Sequence, residues 1–148
     1  MPLNDYRFRS LWSVRATAAS VLDALVDLTR YPDWWPDIRS VTRVDDDTAE
    51  VVCRSVLPYA LTFRLHRVEE DHDSGRMRVD MTGDLEGYVQ GVVSEDAGAG
   101  ALLVISQRVV VTKPLLRVLA PVARPLFRAN HALMMRRGQR GFRAYLTA

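Results

Sequence analysis

The chain has a single cysteine, Cys53, among its 148 residues, so no internal disulfide can staple it. No apolar run approaches the ~20 residues of a membrane span, and the opening MPLNDYRFRS lacks the greasy segment of a signal peptide. Histidine is scarce, with His66, His72 and His131 widely separated. Without an HExxH or a spaced Cys/His set, no metal site is expected. There is no G-x-S-x-G elbow, P-loop or dinucleotide fingerprint, and GAGA at residues 98–101 reads as a hairpin turn. These absences point to a cytoplasmic protein with no cofactor.

Acidic residues are missing from one region altogether. From Lys113 onward there are eight bases, Lys113, Arg117, Arg124, Arg128, Arg136, Arg137, Arg140 and Arg143, and no Asp or Glu, so all 18 acids precede them. Such asymmetry suits a basic helix lying against an acidic body, or an anionic membrane surface. The strands show no basic residues interleaved with aromatics on one face, so nucleic acid is not expected.

The composition that remains is globular: 48% hydrophobic and 26% charged, enough chain for one domain over residues 1–148 with a sizeable core. DYRFRSLWSVR alternates, with Tyr6, Phe8, Trp12 and Val14 on one face, as a half-buried strand does. Thr17 can cap a helix carrying Ala18, Val21, Leu22, Leu25 and Val26 at helical spacing. Pro32 should stop it near Thr29 and Arg30. From Ile38 to Thr112, runs with strand character are separated by Asp- and Gly-rich turns, which predicts about six strands in consecutive hairpins. The remainder reads as a short helix, a kink at Pro121 and Pro125, and a long helix to about Tyr145. Its apolar stripe is read as Leu119, Val122, Ala123, Leu126, Phe127, Leu133, Met134, Phe142 and Tyr145.

An antiparallel sheet must cover its apolar face, and only the terminal helix is long enough to do so. The expectation is therefore an α+β fold, a curved sheet of about seven strands gripping that helix, with a cavity where the two fail to meet. With its stripe needed as this cover, the helix should not insert stably into a membrane.

Certain residues stand out against that frame. Gln107 is the polar member of an otherwise dry strand face, and Asn130 interrupts the helix stripe; a buried amide needs a partner, a ligand or a water. Glycines on the Leu85–Val93 face, Gly91 among them, mark close approach or open space. YPDWWPD, Tyr31 to Asp37, puts two tryptophans between two prolines. Trp34 and Trp35 are expected to point in different directions, one into the core and one toward the opening.

The element order, YPDWWPDIRSV after the first helix, GDLEG before the sixth strand and KPLLRVLAPVARPLFRANHALMMRRG at the end resemble the polyketide cyclase/dehydrase branch of the START-like (SRPBCC) superfamily over nearly the whole chain. The resemblance implies a helix-grip fold with a deep pocket for a hydrophobic molecule, of lipid, polyketide or aromatic type. Members include aromatase/cyclases, lipid and sterol carriers and plant hormone receptors, with no shared catalytic set. Carried onto this chain, the site comprises Trp34, Trp35, Tyr59, Phe63, Gln107, Asn130 and Met134. The partner implied is a small hydrophobic ligand, with a homodimer left open.

The alternative is a polyketide cyclase, aromatase or dehydratase. Ring closure of a poly-β-keto chain needs a folded substrate, a weak acid or base, and donors to an enolate. Asn130 and Gln107 can donate, Tyr59 or Tyr88 can act as acid, and Glu86 or His131 as base. Glu86 and Tyr88 fall on the strand face opposite Leu85, and His131 points about a hundred degrees from Asn130, so structural roles are favoured for them.

Overall fold

The computed structural model describes residues 4–55, 59–96, 100–114, 118 and 120–147. Strand β1 (Asp5–Val14) leads to helix α1 (Ala18–Val26) and a 3-10 turn (Leu28–Asp33). Six strands follow: β2 (Ile38–Arg43), β3 (Thr48–Arg54), β4 (Ala60–Asp71), β5 (Arg76–Gly83), β6 (Leu85–Asp96) and β7 (Gly100–Val111). Helix α2 (Ala120–Thr147) closes the chain. The seven strands form one antiparallel sheet in the order β1-β7-β6-β5-β4-β3-β2. Each hairpin neighbour in sequence is a neighbour in space, and β1 returns to pair with β7.

Local chemistry accounts for these boundaries. Thr17 accepts a hydrogen bond from the Ser20 amide, the expected N-cap of α1. α1 ends at Val26, earlier than Pro32 requires, and the chain tightens into a 3-10 turn that holds Pro32. Tyr31, buried in that turn, donates its hydroxyl to the Leu25 carbonyl and so ties the turn back to α1. The ladder shifts register at Ile38/Ser40 and at Arg67/Glu69, and such irregularities bend a sheet. The concave face carries the core, including Trp12, Val51, Leu65, Met77, Leu103 and Ile105.

The terminal helix differs from expectation in two respects. α2 runs unbroken through Pro125, with Pro121 in its first turn; proline at the start of a helix removes a donor that has no intrahelical partner anyway. The short helix expected before a kink falls largely on residues 115–119, most of which lie outside the described residues. The inward face is also rotated from the expected stripe. Val122 is 76% exposed and Leu126 58%, and Leu133 and Tyr145 are exposed as well. The buried positions are Phe127, Met135, Gly138 and Phe142, while Leu119 is outside the described residues. Apolar residues on the first half of α2 lie on both sides, so periodicity alone could not choose between them. The stripe through Val122, Leu126 and Leu133 therefore does not cover the sheet, and the expectation about membrane insertion loses that ground.

The basic helix meets acidic partners in places. Arg137 pairs with Asp37 at 3.0 Å, and Lys113, just ahead of α2, lies 3.6 Å from Asp84. Arg128, Arg136, Arg140 and Arg143 stay exposed. None of the described helices is long and apolar enough to cross a membrane.

Candidate functional site

The site is built on how α2 meets the YPDWWPD turn. Trp35 lies where the side chain of residue 138 would be: a Cβ on Gly138 would come within 2.5 Å of its indole. A Cβ on Gly141 would sit 1.7 Å from the Trp34 carbonyl oxygen. Two glycines in a helix cost about 1 kcal/mol each, and here they let the turn dock directly on the helix backbone. Trp35 Nε1 donates to the Met134 carbonyl at 3.0 Å. Asp37, only 3% exposed, receives both Nε (3.2 Å) and Nη2 (3.0 Å) of Arg137, and Nη2 also reaches Ser55 at 2.7 Å. One hydrogen bond and a close ion-pair contact to the same carboxylate fix the turn's orientation.

The rings of Trp34 and Trp35 do not diverge as expected. They stack at 5.4 Å with an interplanar angle of 20°; both follow the 3-10 turn in an irregular stretch, where no strand alternation sends successive side chains to opposite faces. With Trp12, Tyr31 and Phe142 they form a continuous aromatic cluster.

Between this cluster, the concave sheet and α2 lies a cavity of about 160 Å³. Among the described residues its wall holds no Asp, Glu, Lys or Arg. Four methionines, Met77, Met81, Met134 and Met135, contribute to it, and their flexible thioethers let a wall adapt to shape. Cys53 is on the wall too, where burial pushes its thiol up to about 12; it is inert as a nucleophile. Gly91 marks close approach, since its missing Cβ would meet Leu25 Cδ2 of α1 at 2.8 Å.

Six of the seven expected site residues are brought together on this wall: Trp34, Trp35, Phe63, Gln107, Asn130 and Met134. Tyr59 is not among the lining residues; it is partly buried and packs against the core from the start of β4. Alternation within a strand could not place it, because it precedes the regular part of β4.

His131, set aside on angular grounds, also lines the cavity. Asn130 and His131 sit on the two shoulders of a helix face broad enough to include both. In the β1–β7 ladder Phe8 stands directly opposite Gln107, so their side chains share the concave face. The imidazole of His131 stacks on Phe8 at 3.6 Å and 9°, and its Nε2 lies 2.6 Å from Gln107 Oε1. Because that oxygen only accepts, Nε2 carries the hydrogen and Nδ1 is left as an acceptor. Burial lowers the His131 pKa to about 4, which keeps the ring neutral near pH 7. The sequence signal was its spacing, four residues after Phe127 and seven before Gly138. Glu86 is exposed and Tyr88 pairs with Arg78, whose guanidinium lies 4.2 Å from its ring; neither reaches the cavity wall. No cluster able to hold a metal ion occurs among the described residues.

A curved antiparallel sheet closed on a long carboxy-terminal helix around an apolar cavity defines a START-like helix-grip protein. The chain belongs to the family described as polyketide cyclase/dehydrase and lipid transport, whose sequence profile matches residues 7–147. Among curated proteins, none matches its sequence. Solved structures similar to it include the Zhui aromatase/cyclase from a Streptomyces species, with a TM-score of 0.82 at 12% identity over 97% of this chain and 94% of that one. The di-domain aromatase/cyclase BexL from the BE-7585A biosynthetic pathway gives 0.75 at 17%, covering 99% of this chain and 52% of the larger one. A START superfamily protein from Mycobacterium smegmatis gives 0.70 at 14%, over 95% and 97%. At identities this low the structural likeness shows a common fold alone.

Proposed function

We propose that this protein binds a small hydrophobic molecule in the cavity between its sheet and α2. The observation that carries this reading is the uncharged cavity of about 160 Å³. An unfilled apolar void of this size forfeits about 4 kcal/mol of packing on the scale seen when core side chains are truncated. That is a large part of the 5–15 kcal/mol by which a typical fold is stable. A chain that merely needed a core would fill it. The size also constrains the guest. Pockets for drug-sized ligands run to ~300–1,000 Å³, whereas a ~150 Å³ apolar cavity accepts benzene. One or two rings fit this scale better than an intact two-chain lipid.

The test is native mass spectrometry of gently purified protein, followed by organic extraction and a screen of small lipophiles. The reading predicts a retained or reloadable small molecule at one equivalent. Protein that is folded, empty and unresponsive across the screen contradicts it.

A second reading, catalysis of cyclisation or dehydration on the bound molecule, is favoured by one observation: the neutral His131 held by Gln107 and Phe8 at the cavity wall. A neutral imidazole oriented with Nδ1 as an acceptor can take a proton as a general base, a weak one at a pKa of about 4, and the Gln107 amide nitrogen can donate to an enolate oxygen. This reading predicts that His131→Ala and Gln107→Ala each abolish turnover of a poly-β-keto substrate while the fold persists. Unchanged turnover in both contradicts it.

A further inference from the structure

Two buried side-chain polar atoms among the described residues have no hydrogen-bond partner: Asn130 Oδ1 and Trp34 Nε1. Both residues line the cavity. Buried polar groups are nearly always paired, and an orphan is penalised in proportion to its lost hydration. Resting on the reading that the cavity holds a small molecule, we propose that its guest is a neutral one- or two-ring compound carrying a hydrogen-bond donor, such as a phenolic hydroxyl, for Asn130 Oδ1.

The orientation of the amide follows from its neighbours. Asn130 Nδ2 lies 3.6 Å from Met134 Sδ. A thioether sulfur accepts weakly and donates nothing, so the nitrogen belongs on that side and the oxygen is turned away from it. The other amide on the wall does not relieve the orphan, because the Gln107 nitrogen makes no hydrogen bond to Asn130 Oδ1. Asn130 thus holds an acceptor without a donor and Trp34 Nε1 a donor without an acceptor, each on a residue of the cavity wall, and one guest can meet both.

Charge narrows the class further. With no Lys or Arg on the described wall, an incoming carboxylate would lose its hydration with no cation to replace it. Its oxygens would also face Asn130 Oδ1, acceptor against acceptor. Fatty acids and aromatic acids are therefore excluded in their ionised form, while a hydroxylated ring is not. Water is a poor substitute, since buried waters typically hold about three hydrogen bonds and this apolar wall supplies few.

The experiment compares three probes of one ring system, 2-naphthol, naphthalene and 2-naphthoate, titrated calorimetrically into the purified protein at pH 7. One satisfied hydrogen bond should favour naphthol over naphthalene by about fivefold to tenfold, with naphthoate the weakest. Asn130→Leu should remove that preference by weakening naphthol alone, and Trp34→Phe should reduce it partly; if Asn130→Leu does not fold, Asn130→Ala carries the same comparison. Equal binding of naphthol and naphthalene, tight binding of naphthoate, or a preference that survives in the Asn130 variant overturns the inference and leaves the cavity's binding role standing. Folded protein that takes up none of the three counts against both.

Discussion

The two halves of α2 do different things. From Met134 to Tyr145 the helix is clamped: Gly138 and Gly141 admit the tryptophan turn, Arg137 grips buried Asp37, and Phe142 is fully enclosed by the aromatic cluster. From Pro121 to Ala129, Phe127 is the one buried side chain among the described residues, and Val122 and Leu126 face outward. Asn130, His131 and Met134, where the halves join, line the cavity. A grip that is tight along one half and loose along the other leaves a hollow without unravelling the fold. The lesson is that tight docking along one half of a helix can coexist with a hollow beside its middle turns.

Substitutions can break this contrast. The largest effect is expected at Gly141→Ala, whose Cβ would enter the Trp34 carbonyl; backbone against backbone cannot yield, and a loss of about 3 kcal/mol or more is expected in urea denaturation. Arg137→Ala comes next. It strands Asp37 as a buried unpaired charge, at a cost of about 3 kcal/mol, and adding Asp37→Asn should restore part of it. Gly138→Ala presses on a ring rather than a carbonyl, so about 1–3 kcal/mol is expected. At the loose half, Leu126→Ala should fall within about 0.5 kcal/mol of the parent. A Leu126 effect as large as that of Gly141 would erase the distinction between the halves.

How much of this was legible beforehand follows from which forces act locally. Alternation in β1, the Thr17 cap and the hairpin turns are set by near neighbours, and the seven-stranded sheet followed from them. The apolar frame of the cavity was legible for the same reason, since Phe63 and Gln107 lie on faces fixed by alternation. The inner face of α2 was not legible, because Val122, Leu126 and Leu133 are as apolar as Phe127 and only the sheet decides among them. The roles of Gly138 and Gly141 exist only once the tryptophans arrive from a hundred residues away. His131 was misjudged for a related reason: a helix facing a concave sheet exposes a broad arc to it, so an angle of about a hundred degrees does not exclude a residue.

A titration sharpens the contrast at the junction. The His131 pKa is lowered to about 4 in the fold, against about 6.5 for an unfolded histidine. The unfolded chain therefore binds the extra proton first, and the contribution of neutral His131 to stability is complete above pH 6.5 and declines as pH falls toward 4. Denaturation midpoints should rise between pH 4 and 6.5 in the parent and rise less in His131→Asn. An unchanged slope would mean that the ring is open to water rather than held inside.

The central claim, that the space beside the tryptophan turn receives a guest, is tested most directly by nuclear magnetic resonance. The chain has three tryptophans, hence three indole N–H signals, and all three rings line the cavity. Titration with 2-naphthol should move the Trp34 indole signal farthest, since its Nε1 has no hydrogen-bond partner among the described residues. Trp35, already bonded to Met134, should move less. Three indole signals unmoved at saturating probe would contradict the claim.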